Sequence, residues 1–160
     1  MKLFFKSGFL LLFAVTTLLG CNRKVANSIS EDGLWTLESM ILSNGQSIDR
    51  KPYNQGIENA MAARLPWVYS PLTIALKVAG QQMISPQVNM VSKSLSGNEL
   101  VTEVAVIIEK KNLPDDSLAD EYFWMRLKLG GTIWQVAEIK HAWRCREGRG
   151  HQELSAEKCL

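Results

Sequence analysis

Among 160 residues there are only three cysteines and two histidines, and both histidines, His141 and His151, lie near the C-terminus. That scarcity leaves few ways to build a metal centre and no spacing from which a Ser-His-Asp triad can be argued. No glycine-rich phosphate loop or dinucleotide fingerprint occurs, and no serine or cysteine stands in a nucleophile elbow. Asp115, Asp116 and Asp120 lack the alternating oxygen ligands and later bidentate glutamate of a calcium loop, so they read as a turn. The longest largely apolar run, Phe9 to Leu19, covers roughly 16 Å as a helix against a hydrocarbon core of roughly 30 Å, too little for a simple span. Charge of one sign is missing as well. The formal net charge of +2 resides in Lys2 and Lys6; without them sixteen basic residues face sixteen acidic ones. A near-neutral chain lacks the positive excess that a nucleic-acid binder or polybasic membrane reader needs.

What is present begins at the N-terminus. Two lysines, the apolar run and a small residue before a cysteine form Leu18-Leu19-Gly20-Cys21. This resembles the lipobox of bacterial lipoproteins. The resemblance implies cleavage after Gly20, a diacylglycerol on the Cys21 thiol and acylation of the new amino terminus, so that the partner of Cys21 is a lipid bilayer. Several acyl chains at one residue anchor firmly, since each buried methylene contributes roughly 0.8 kcal/mol. Asn22 in place of the inner-membrane-retaining Asp leans toward an outer membrane, facing the periplasm, in a host with two membranes. Residues 1–20 are then the signal, 21–33 a polar tether, and 34–160 one globular domain of ordinary size.

Export sets the remaining cysteines, Cys145 and Cys159, where disulfides form and persist, and they are expected to pair. The competing reading is a metal site, because His141, Cys145, His151 and Cys159 lie within nineteen residues. Their spacing matches no compact zinc pattern and oxidation would consume the thiols, so neither a metal nor a cofactor is expected. The two histidines read as surface residues.

Leu34 to Ile48 reads as a hairpin turning at Asn44-Gly45. Ile57, Ala60, Met61 and Leu65 give the one helix, Gly56 to Leu65, with Asn54 as a candidate cap and Pro66 as its stop. Alternation then predicts strands over Leu72 to Val78, Gln87 to Leu95 and Leu100 to Glu109, with a turn at Ser96-Gly97-Asn98. Pro114-Asp115-Asp116-Ser117 is a loop. Gly130-Gly131 is read as the turn of a long hairpin, setting Leu127 opposite Trp134, Met125 opposite Val136, Trp124 opposite Ala137 and Arg126 opposite Gln135. That register would bury Glu138 beneath Phe123, a conflict that a bulge near Ala137 or Glu138 removes. The expected fold is α+β: a curved antiparallel sheet of about four to six strands with one helix packed on it. Its element order is loosely similar to nuclear-transport-factor-like and cystatin-like folds, and a closed all-β barrel is the alternative.

Two candidate sites follow. Arg144, Arg146, Arg149 and His151 cluster beside glycines, a set suited to anion recognition; the alternative is a solvated disulfide loop whose arginines pair with nearby glutamates. Trp67, Tyr69 and Trp124 are candidate linings of an apolar pocket if they are not core. The Pro114-Asp115-Asp116-Ser117 loop, the Trp134 strand and the run from Arg144 to His151 closing on Cys159 resemble a group of small exported bacterial proteins, many lipidated. That resemblance implies a shared disulfide-closed sheet end and carries no activity. The functional expectation is a membrane-anchored, non-catalytic envelope protein that binds a protein, polymer or small ligand. The alternative is an envelope hydrolase using His141 or His151, which requires a cleft where a histidine meets a second polar group.

Overall fold

A computed structural model describes residues 31–80, 85–97 and 99–160. The signal, Cys21, the tether as far as Ser30 and Asn98 of the expected turn lie outside the described residues.

The chain begins, within that range, with a helix where a hairpin arm was expected: α1, Glu31–Asn44. Leu34, Leu37, Glu38 and Ile41 recur at helical spacing, and Ile41 is fully buried. Gly45 donates its N–H to Ile41 O at 2.9 Å, and a side chain there would meet that carbonyl at 2.5 Å. The Asn-Gly pair therefore closes a helix; the same dipeptide suits a helix end and a hairpin, and only the preceding apolar period separates them.

A two-residue strand, β1 (Gln46–Ser47), leads to α2 (Lys51–Ala62). This is the expected helix, begun five residues earlier and helped by Pro52 in its first turn. It ends with Arg64 at φ +56, and Leu65 N–H donates to Ala60 O at 2.9 Å. The helix thus closes on this left-handed cap, three residues short of the expected end at Leu65, and Pro66, not needed as its stop, opens a 3₁₀ turn over Pro66–Tyr69.

The next segment corrects the period-two reading. Pro71–Val78 is a helix, α3, capped by the Ser70 hydroxyl, which accepts the Thr73 N–H at 3.4 Å. Ser at the cap and Pro at the first position are helix-start signals, and Ile74, Ala75 and Val78 are the buried face. Leu72 and Leu76 pack at its margin, so an apparent alternation was one broad helical stripe.

Four strands then run as a meander: β2 (Gln87–Ser94), β3 (Glu103–Lys111), β4 (Leu118–Gly130) and β5 (Ile133–Cys145). The sheet is antiparallel, five-stranded and open, in the order β1-β5-β4-β3-β2. Its open edges exclude the barrel, and three α-helices among the described residues replace the single one expected, leaving the α+β class intact.

Gly130 belongs to the ladder, opposite Ile133, and Gly131 at φ +72 leads the turn. The register thus sits two residues from expectation, Leu127 facing Val136 and Leu129 facing Trp134, which keeps every side chain on its expected face. The bulge falls at Ala137, as the buried-carboxylate conflict required. Beyond it Glu138 pairs with Arg126, and Phe123 faces His141.

The helices divide between the two sheet faces. Val104, Val106, Ile108, Met125, Leu127, Val136 and Ile139 pack against Ile57, Val68, Ile74 and Ala75 from α2, the 3₁₀ turn and α3. On the other face Ala105, Ile107, Tyr122, Trp124 and Ala142 pack against Ile41 of α1 and Leu154 of the C-terminal segment. No helix among the described residues is long and apolar enough to cross a membrane.

Candidate functional site

The helices α2 and α3 cover the middle of their sheet face, leaving its far end, where β4 starts and β5 finishes, to polar and aromatic side chains. Lys110, Glu121 and His141 come there from β3, β4 and β5; Lys110 is directly opposite Glu121, and Phe123 opposite His141. Glu121 is the hub. Its Oε2 accepts from Lys110 Nζ at 3.1 Å and its Oε1 lies 2.9 Å from His141 Nε2. Lys110, nearly enclosed, also donates to Ala79 O at the end of α3 and stands 5.0 Å from the Phe123 ring centroid.

Burial works to raise the Glu121 pKa, but the His141 hydrogen bond and the Lys110 charge outweigh it and hold the carboxyl below its ordinary range. An ionised carboxylate only accepts, so His141 donates to it through Nε2–H. The imidazole is clamped by stacking on Phe123 at 4.2 Å and 10°, with Trp143 tilted against it at 5.0 Å. His141 is thus partly buried, not the surface residue expected.

His141 lines a cleft of about 570 Å³, together with Gln46, Asp116, Trp143 and Lys158. The C-terminal segment walls it. Cys159 is disulfide-bonded to Cys145 with a Cα–Cα distance of 5.6 Å, and Ser155 pairs with Trp143 through two backbone bonds of 2.9 and 3.1 Å. The opposite rim is the expected Asp115 loop. Asp115 Oδ1 accepts the N–H groups of Leu118 and Ser117 at 2.6 and 2.8 Å, which lowers its pKa.

The anion-binding set is distributed differently from its sequence clustering. Arg144 is on the other sheet face, ion-paired with Asp120 and 5.6 Å from the Tyr122 ring. Burial opposes its charge, yet Tyr122 and Asp120 raise its pKa; burial also pushes the Tyr122 hydroxyl well above its ordinary range. These two residues border a second cleft of about 630 Å³ beneath α1, with Leu37, Met40, Glu109 and Lys111. Arg146 is spent on the carbonyls of Asp115 and Leu113, the latter at 2.5 Å. Both nitrogens of His151 face carbonyl oxygens, Glu153 O at 2.8 Å and Glu157 O at 2.9 Å. Arg149 is exposed.

Cys145, His151 and Cys159 bring their ligand-type atoms within 4.8 Å of one another, but the sulfurs are bonded together and the imidazole is engaged as described. The aromatic lining also separates. Trp67 packs at the edge of the core under α2 and α3 with Lys77 Nζ 4.7 Å above its ring, and Tyr69 is exposed. Trp124 is buried on the opposite face, donating to Glu38 Oε1 at 2.8 Å. These three therefore share no pocket.

Glu121 and Lys110 were not singled out in the sequence. Period two places both on the otherwise apolar face, a usable warning, but only strand register shows that they meet each other and His141. No protein-family model, curated protein sequence or solved structure matches this chain.

Proposed function

We propose that the chain is a lipid-anchored protein of the cell envelope whose single α+β domain binds a small ligand in the cleft beside His141. The observation that carries the binding role is the cleft itself, a cavity of about 570 Å³ lined by an imidazole that is stacked on Phe123 and tilted against Trp143. Preformed concave sites with a few oriented polar groups are the usual form of small-molecule sites. The Cys145–Cys159 bond supports an oxidising compartment, in keeping with the Leu18-Leu19-Gly20-Cys21 signal. Helices followed by an antiparallel meander support the nuclear-transport-factor-like analogy for the domain.

Intact-mass measurement of the protein purified from its native membranes tests the anchor. The expected product starts at Cys21 and carries the mass of its acyl groups, and Cys21→Ser abolishes membrane partitioning. A retained leader with a free thiol at Cys21 would overturn the reading.

A second reading is an envelope hydrolase, favoured by one observation: His141 meets Glu121 at 2.9 Å within a cleft. Such a pair orients a general base. Ester hydrolysis lost in His141→Gln would replace the binding role by this one.

A further inference from the structure

We propose that β2 is an assembly edge: two copies of this chain pair β2 to β2, antiparallel about a two-fold axis at Val91, and join their sheets into one. This goes beyond the ligand-cleft reading above and does not rest on it.

The first observation is an edge left open. β2 ends the sheet and pairs with β3 alone. On the opposite side of the sheet β5 is covered by β1 and, along the bulge, by Arg50 and Asn54 at the start of α2. β2 has none of the devices that keep exposed edges apart. Its eight residues hold one uninterrupted register with β3, contain no proline and carry a single charge, Lys93. That charge does not guard the edge, because Lys93 is turned onto α1, ion-paired with Glu38 and 3.7 Å from the Trp35 ring centroid.

The second observation is which backbone groups face out. Leu95 N–H donates to Glu103 O at 2.8 Å, and Leu129 N–H donates to Thr102 O at 2.8 Å. Odd-numbered residues of β3 therefore bond β2 and even-numbered ones bond β4, so residues 89, 91 and 93 of β2 bond inward. Val88, Met90, Ser92 and Ser94 direct their N–H and C=O groups away from β3, and those groups have no hydrogen-bond partner among the described residues.

The third is that the strand is its own complement. Met90 and Ser92 stand opposite Ile108 and Val106, so the outward-bonding residues share the face packed by α2 and α3. Along that face Val88 and Met90 are large, Ser92 and Ser94 are small, and Met90 is 38% exposed. A two-fold axis at Val91 sets Met90 against Ser92 of the second copy and Val88 against its Ser94, large against small, and each pair exchanges both N–H···O bonds. On the α1 face the same axis sets Val91 against Val91 and Lys93 against the second copy's Asn89, whose amide donates to Glu109 Oε2 at 2.7 Å. The strand's one cation thus meets an amide backed by a carboxylate, and never itself. An unrelated extended segment would have to supply the same size pattern and the same charge complement; a second copy already carries both.

The test runs on the purified full chain. Sedimentation equilibrium over a concentration series is expected to show a dimer that dissociates on dilution. Amide exchange should slow at Val88, Met90, Ser92 and Ser94 as the dimer forms, with residues 89, 91 and 93 protected throughout. Val91→Cys puts two thiols at a non-hydrogen-bonded pair, about 4.5 Å between Cα atoms, and should form an intermolecular disulfide in air, whereas Asn89→Cys should form none. Ser92→Pro removes an outward N–H and should weaken association at least tenfold. A synthetic peptide of residues 87–94 should compete with the dimer, and a scrambled peptide of the same composition should not. A chain that stays monomeric at every concentration, its four outward amides exchanging freely, would overturn the proposal, as would a dimer that Asn89→Cys cross-links as readily as Val91→Cys. Equal competition by the scrambled peptide would make the edge an acceptor for any extended segment and overturn self-recognition. Exchange and cross-linking decide the matter even if Ser92→Pro fails to fold.

Discussion

Asn54 holds Val136 by both of its backbone polar groups: Asn54 Nδ2 donates to Val136 O at 3.0 Å, and Val136 N–H donates to Asn54 Oδ1 at 2.8 Å. Next to it Arg50 donates to Ala137 O at 2.5 Å. β1 covers β5 only opposite Lys140 and His141, so the stretch of β5 at the bulge would otherwise expose backbone groups along its edge. Helix α2 takes the place of the missing strand with side chains that mimic a ladder.

Asn54→Ala removes both bonds at once and is expected to destabilise the domain by about 2 kcal/mol, since part-buried backbone groups lose their partners. Urea unfolding measures it. A loss under about 0.5 kcal/mol would mean that water replaces the asparagine without cost.

Glu121 supplies a pH dependence of known sign. Its folded pKa is depressed below the ordinary 4.5. Its contribution is therefore present above the unfolded value and disappears as pH falls through the folded one. Urea midpoints from pH 7 to pH 2 should show the native chain losing more stability on acidification than Glu121→Gln. Parallel curves would show that the contacts with Lys110 and His141 leave the carboxyl unperturbed.

Arg64 occupies a left-handed backbone position at the end of α2, φ +56, where glycine is free of the side-chain penalty. Arg64→Gly is expected to stabilise by about 1 kcal/mol, read as a higher thermal midpoint. A lower midpoint would show that the guanidinium or its aliphatic stem contributes more than the backbone costs.

Replacing Cys145 and Cys159 together by serine opens a loop spanning fourteen positions and should cost about 3 kcal/mol by the chain-entropy relation. The same change loosens one wall of the His141 cleft, because Cys159 lines it. Faster amide exchange at Ser155 and Lys158, with β3 and β4 still protected, is the expected signature. Unchanged exchange there would mean that the Trp143–Ser155 pairing and buried Leu154 hold the segment unaided.

The α+β class, strands β2 to β4, the long final hairpin, the bulge at Ala137 and the Cys145–Cys159 pair were legible as residues alone. Each rests on chemistry local to a strand or on a short list of partners: alternation, turn glycines, a carboxylate that must not be buried, two thiols left for each other. Helices α1 and α3 were not legible as such. Asn44-Gly45 and Ser70-Pro71 each admit two local structures, and the short apolar stripes beside them fit alternation nearly as well as a helical period.

The candidate site lies wholly on the tertiary side. Nothing short of pairing three strands brings Lys110, Glu121 and His141 into contact, and nothing short of closing the C-terminal segment over Trp143 makes a cleft of them. Composition and order along the chain dictated the balance of acidic and basic residues and where strands alternate, because those depend on the residues themselves and their near neighbours. Which polar groups meet, which arginines are already occupied and which histidine lines a cleft depended on register and burial, properties that exist only once distant segments have packed.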